Sequence, residues 1–172
     1  IGSSYQNLND LGSAEKIFKN ILQIDSKNTS ALNNLGNVYK NLKDYSSAEE
    51  NYKKAIVLNP TFINALVNYG SLNYELNNYE EAVELYKKAL HLNNEIPMAH
   101  YNIGLVYQAL GRFSDAKFHL QALSKIQPEI TAADKILSRF IKYKDGDPHI
   151  NIMENKLNQL NLNNLGKIDL FF

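Results

Sequence analysis

Apolar residues in this chain recur at helical spacing, in runs cut by turn-forming residues. Between residues 33 and 42, Leu35, Val38, Tyr39 and Leu42 follow one another at steps of three, one and three, which places them on one face of a helix. Asn33, Asn34, Asn37 and Asn41 fill much of the remainder, although asparagine is a mediocre helix former whose short amide competes for local backbone groups. Asparagine makes up 24 of the 172 residues and is spread along the chain rather than gathered in a tract. A low-complexity segment is therefore not expected.

The same pattern returns every 34 residues. Gly2, Gly36, Gly70 and Gly104 form one column, and Ala14, Ala48, Ala82 and Ala116 another. Leu8, Leu42, Leu76 and Leu110 follow the same step, as do Phe18, Tyr52, Tyr86 and Leu120. Small residues in fixed columns let two helices approach closely, and the large apolar columns fill the space around that crossing. Asp10, Asp44 and Asn78 fall where a second helix should start and are expected as N-caps, with Asn78 and Glu81 forming a capping box. Pro60 and Pro128 stand where a helix must end. The pattern predicts an all-α fold of helical hairpins. It divides into a partial unit 1–28, full units 29–62, 63–96 and 97–130, and a degenerate capping unit 131–164, with 165–172 starting a further, truncated segment. Ile1 falls in the helical column of Leu35, Tyr69 and Ile103, so a parent protein extending beyond Ile1 and Phe172 is expected.

Charge removes several functions from consideration. Eighteen basic and eighteen acidic side chains leave no net field to attract nucleic acid or an anionic membrane. No cysteine is present, which excludes disulfides, thiolate metal sites and a thiol nucleophile and fits a reducing, cytoplasmic compartment. No apolar run approaches the roughly 20 residues that span a bilayer. The four histidines have no metal-ligand spacing, and Asp147 followed by Pro148 reads as a helix start rather than as part of a metal site with Asp145 and His149. No phosphate-binding or nucleophile-elbow motif occurs. No catalytic residue, metal or cofactor is expected within this chain. Glu49 with Lys53, Glu50 with Lys54 and Glu84 with Lys88 are expected as solvated i, i+4 pairs.

The period and the set Gly36, Tyr39, Ala48, Tyr52, Ala55 and Pro60 resemble the tetratricopeptide repeat. The family's tryptophan is absent, and Asn73 stands where Tyr39 and Tyr107 hold tyrosine. The resemblance implies a superhelical α-α solenoid that binds proteins or extended peptides on a concave face lined by the first helix of each unit. Counting residues 29, 63 and 97 as place 1, places 2, 5, 6, 9, 12 and 13 lie opposite the apolar face of that helix.

Place 6 is asparagine in all three full units: Asn34, Asn68 and Asn102. Two readings stay open, a solvated helix face and a ladder of amides that pair with a peptide's own C=O and N–H groups. The stretch "ALNNLGNVYKNL" is similar to the repeat arm of O-linked N-acetylglucosamine transferases, which implies the ladder. Asn33, Asn37, Lys40, Asn41, Ser71, Tyr74 and Tyr101 occupy neighbouring groove-side places. Lys135, Arg139 and Lys142 make one basic face in the degenerate unit, either a solubilising cap or an attraction for an acidic ligand. The carboxylate clamp of chaperone-binding tetratricopeptide domains is missing, since its places hold Asn33 and Asn37, Val67 and Ser71, and Tyr101 and Leu105. The stretch "LSRFIKYKDGDPHINIMENKL" with the later "LFF" is similar to the connector of bacterial tetratricopeptide sulfotransferases. The expected function is a peptide-binding scaffold. The alternatives are the substrate-presenting arm of a larger transferase and self-association through exposed repeat ends.

Overall fold

A computed structural model of the protein describes residues 2–139 and 148–159, all in helices and short turns. The helices are α1 (Gly2–Ile24), α2 (Thr29–Asn41), α3 (Tyr45–Leu58), α4 (Ile63–Glu75), α5 (Tyr79–Leu92), α6 (Pro97–Ala109), α7 (Phe113–Ile126), α8 (Ala132–Ser138) and α9 (Pro148–Gln159). The chain divides into two compact units, Ile1–Asn94 and Glu95–Phe172. None of the described helices is long and apolar enough to cross a membrane.

The first unit contains the hairpins α2/α3 and α4/α5, with α1 packed on α2. In each hairpin the chain reverses through one left-handed residue, Lys43 or Asn77, both at φ 61°. The amide of Asp44 then donates to the Tyr39 carbonyl at 2.9 Å and that of Lys43 to Lys40 at 3.0 Å, so the last carbonyls of α2 find donors. Asp44 also starts α3, its carboxylate accepting from the Ser47 amide at 3.1 Å as the N-cap pattern requires. The glycine column works by close approach. A Cβ on Gly36 would sit 2.6 Å from the Tyr52 ring, and one on Gly70 would sit 2.8 Å from Tyr86. Ala48, Ala55, Ala82 and Ala89 line the same crossings and are wholly buried.

Three local expectations meet different outcomes. Asp10 does not start a second helix, because α1 runs unbroken through it. Asn9, in the column of Lys43 and Asn77, stays within the helix instead of taking the left-handed turn that those two residues take. Asn78 precedes α5 but makes no side-chain cap bond. Its amide instead donates to the Asn73 side chain at 3.3 Å, and Asn73, itself buried, donates to the Tyr69 carbonyl at 3.0 Å. The asparagine that replaces tyrosine thus draws the expected cap inward. On the outer face Glu49–Lys53 and Glu50–Lys54 form as expected, whereas Glu84 meets Lys87 at 3.4 Å.

The second unit repeats the hairpin in α6/α7, turning through Gly111 at φ 70°, with Leu120 against Gly104. Leu120, Leu123, Ala133, Ile136 and Leu137 form its core, joined by half-buried Tyr101, Leu105 and Ile130. Pro148 opens α9, where its missing N–H costs nothing.

Candidate functional site

Helix α2 presents Asn33, Asn34, Asn37, Lys40 and Asn41 on one side because its opposite side is committed to the core through Ala31, Leu32, Leu35 and Val38. The asparagines do not form a uniform solvated row. Asn33 is buried, whereas Asn34 and Asn68 are half-buried. The Asn68 side-chain amide donates to the Asn33 carbonyl oxygen at 2.9 Å, and the Asn33 amide reaches the Asn34 oxygen at 3.4 Å. The three amides therefore run in series across α2 and α4. Asn34 keeps its N–H donors free of that chain, and Asn68 keeps its carbonyl oxygen.

The neighbouring groups are partly committed. Tyr52, buried beneath the face, donates its hydroxyl to Asn37 at 2.7 Å. Burial pushes the Tyr52 hydroxyl far above the usual tyrosine range, so it remains a donor at every physiological pH. Lys40 donates to Ser71 at 2.8 Å and lies 3.7 Å from Glu75, which also accepts from the Tyr45 hydroxyl at 2.9 Å. Tyr74 packs its ring on Tyr79 at 5.8 Å, while Asn41 is exposed. In the first unit the structure thus brings together Asn33, Asn34 and Asn68, and separately Lys40 and Ser71.

Asn102 and Tyr101 belong to the second unit, on α6. Asn102 is half-buried, and Tyr101 lines an apolar cavity of about 410 Å³ with Met98, Leu123 and Ile130. Lys135 is half-buried and Arg139 exposed at the end of α8, while Lys142, Asp145 and Asp147 lie outside the described residues.

Two features escaped the sequence patterns. His100 and His119, 19 residues apart, bring their Nδ1 atoms to 3.1 Å, and His119 stacks on Tyr107. More consequential is Asp134 on α8, which is fully buried. It accepts from Lys156 at 2.6 Å and lies 3.2 Å from Nε2 of His149, both on α9, while Lys156 also donates to Ser124 at 2.6 Å. Burial alone would raise the Asp134 carboxyl, but the bonds from His149 and Lys156 and the charge on Lys156 hold it below the usual range. On α9 the apolar residues Ile150, Met153 and Leu157 are only half-buried, while the polar His149 and Lys156 are buried. Among the described residues, no group of three His, Cys, Asp or Glu side chains could hold a metal ion.

Family models described as tetratricopeptide repeat match residues 29–62, 51–84, and 1–28 with 99–130, and one described as TPR repeat matches 70–111. No curated protein matches the chain. Among solved structures, a crystal structure of MamA aligns at 27% identity over 81% of each chain, with a TM-score of 0.71. MamA residues 41 to the end from Desulfovibrio magneticus RS-1 align at 20% identity over 87% of each chain, with a TM-score of 0.73. YrrB, described as a TPR protein with an unusual peptide-binding site, aligns at 19% identity over 91% of this chain and 81% of its own, with a TM-score of 0.67. The repeat matches together run from residue 1 to residue 130, over helices that pair as the repeat requires, and the chain belongs to the tetratricopeptide-repeat family.

Proposed function

We propose that the α2 and α4 face binds an extended peptide by its main chain, as part of a protein-binding scaffold. The observation that carries this reading is the series of amides from Asn34 through Asn33 to Asn68. Asn33 occupies one end of each neighbour, so Asn34 offers a donor and Asn68 an acceptor, the complement of a peptide C=O and N–H. Asn102 holds the same place in its own helix and extends the pattern in the sequence. YrrB, described as a peptide-binding tetratricopeptide protein, supports the reading at the level of fold. Asn41 and Tyr74 flank the amides, and the Lys40–Ser71 contact at 2.8 Å ties α2 to α4 beneath the peptide. The chain itself supplies binding rather than catalysis. As the substrate-presenting arm of a larger transferase it would use the same face.

Main-chain recognition has a specific test. A peptide that binds the full chain is compared with versions carrying a single N-methyl group at successive positions and with versions changed only in side chains. Removing one hydrogen bond costs about 0.5–1.5 kcal/mol, so one N-methyl position should weaken binding roughly two- to tenfold. Side-chain changes should matter less. Equal tolerance of N-methylation everywhere, with strong dependence on side chains, would contradict main-chain recognition.

A further inference from the structure

A second cleft lies in the other unit, on a surface that the peptide reading does not use. It occupies about 460 Å³ between α7 and α9, within the roughly 300–1,000 Å³ typical of small-molecule sites. Its apolar wall comes from Pro128, Leu137 and Ile152. Its polar wall comes from Lys156, Lys125, His149, Ser124, Gln121 and Asn155, and among the described residues that line it no carboxylate appears. Lys156 is 5% exposed and held rigidly, with two of its three N–H groups donated to Asp134 and Ser124 at 2.6 Å each. The third N–H is uncommitted, and Lys156 lines the cleft. Asp134 cancels one positive charge behind the wall, and Lys125 at the rim supplies another. A fixed ammonium, a rim lysine and two side-chain amides facing an apolar wall recognise one chemistry: a single negative charge carried on an apolar body.

We propose that this cleft binds a carboxylate attached to an apolar group, such as a small branched acid or the leucine-like end of a peptide. The carboxylate would accept from Lys156 and Lys125, with Gln121 or Asn155 completing its hydrogen bonds, while the apolar group covers Leu137 and Ile152. The preorganised lysine lowers the ordering cost that a flexible surface lysine would carry. Peptide binding by the asparagines neither requires this site nor is required by it.

The test is an NMR titration of the full chain with N-acetyl-leucine, its neutral amide, and a tetrapeptide ending in leucine with a free or an amidated C-terminus. N-acetyl-leucine should give saturable shifts at Gln121, Ser124, Ile152 and Asn155, and the amide should bind about tenfold more weakly, as losing one charge-assisted contact implies. Ile152→Trp, which narrows the cleft while leaving Asp134, His149 and Lys156 unchanged, should abolish the shifts. Lys125→Ala should weaken binding about three- to tenfold, less at high salt because the rim charge is screened. Tighter binding of the free tetrapeptide than of N-acetyl-leucine identifies a chain terminus as the source of the carboxylate, and weaker binding identifies a small acid. Equal affinity for acid and amide, or no saturable shift at these residues at about 10 mM ligand, would overturn the proposal.

Discussion

Replacing Asp134 by alanine should destabilise the second unit more than any surface change. The carboxylate is fully buried, and its removal leaves the Lys156 ammonium, 5% exposed, with Ser124 as its remaining bonded partner. His149 loses the carboxylate 3.2 Å from its Nε2. Breaking a buried pair from one side typically costs about 3–5 kcal/mol, because the surviving charge stays desolvated. With a urea dependence of about 2 kcal/mol per molar, the unfolding midpoint should fall by roughly 1.5–2.5 M. The double variant Asp134→Leu with Lys156→Met should recover most of that loss, since it removes both charges together. The measurement is urea unfolding followed by circular dichroism, with a probe confined to the second unit because repeat arrays need not unfold in one step. A cost below about 1 kcal/mol for Asp134→Ala, or a double variant no better than the single, would refute this account of the ion pair. The pH dependence gives an independent check. Because the folded Asp134 titrates below its ordinary value of 3.8, its contribution is present above that value. Stability should therefore fall as pH drops through the lowered folded value, and Asp134→Ala should remove that part of the acid sensitivity.

Other substitutions test the packing map and the amide series. Gly70→Ala places a Cβ 2.8 Å from the buried Tyr86 ring and should lower the melting midpoint, with overpacking of about 1–3 kcal/mol exceeding the gain in helix propensity of about 1. Gly12→Ala in α1, where nothing lies within 4 Å, should raise it. Lys43 holds φ 61°, so Lys43→Gly should be neutral to stabilising by up to about 1 kcal/mol, whereas Lys43→Val should destabilise in the same thermal melt. Asn33→Ala removes a buried amide that serves two neighbours and should cost about 1–3 kcal/mol, while Asn34→Ala should cost far less.

The hairpins were legible because each reuses the same columns, and the columns correspond to contacts that leave no freedom. Gly36, Gly70 and Gly104 recur because a Cβ at each would strike Tyr52, Tyr86 or Leu120. The left-handed turn was harder to see. Its column reads Lys43, Asn77 and Gly111, and lysine carries no signal for that backbone region. Asn78 lost its capping role to Asn73, a tertiary contact outweighing a local preference. Within the candidate site, the period identified Asn34, Asn68 and Asn102 as equivalent but could not show that Asn33 lies between the first two. The Asp134 cluster left no trace in the pattern. Its partners stand 15 and 22 residues away in a degenerate unit, where no column repeats to mark them.

The central claim is that side-chain amides hold a peptide's main chain, and one comparison tests it most directly. A bound peptide is titrated against the wild-type chain and against the double variant Asn34→Ala, Asn68→Ala, with thermal melts of both. Losing two hydrogen bonds of about 0.5–1.5 kcal/mol each should cost about one to two decades of affinity, for peptides of unrelated sequence alike. The melt should fall by the equivalent of no more than about 1–3 kcal/mol, because buried Asn33 loses both side-chain partners while alanine is the better helix former. Unchanged affinity in the double variant would contradict the claim, and so would a loss of affinity that follows only from a collapsed melt.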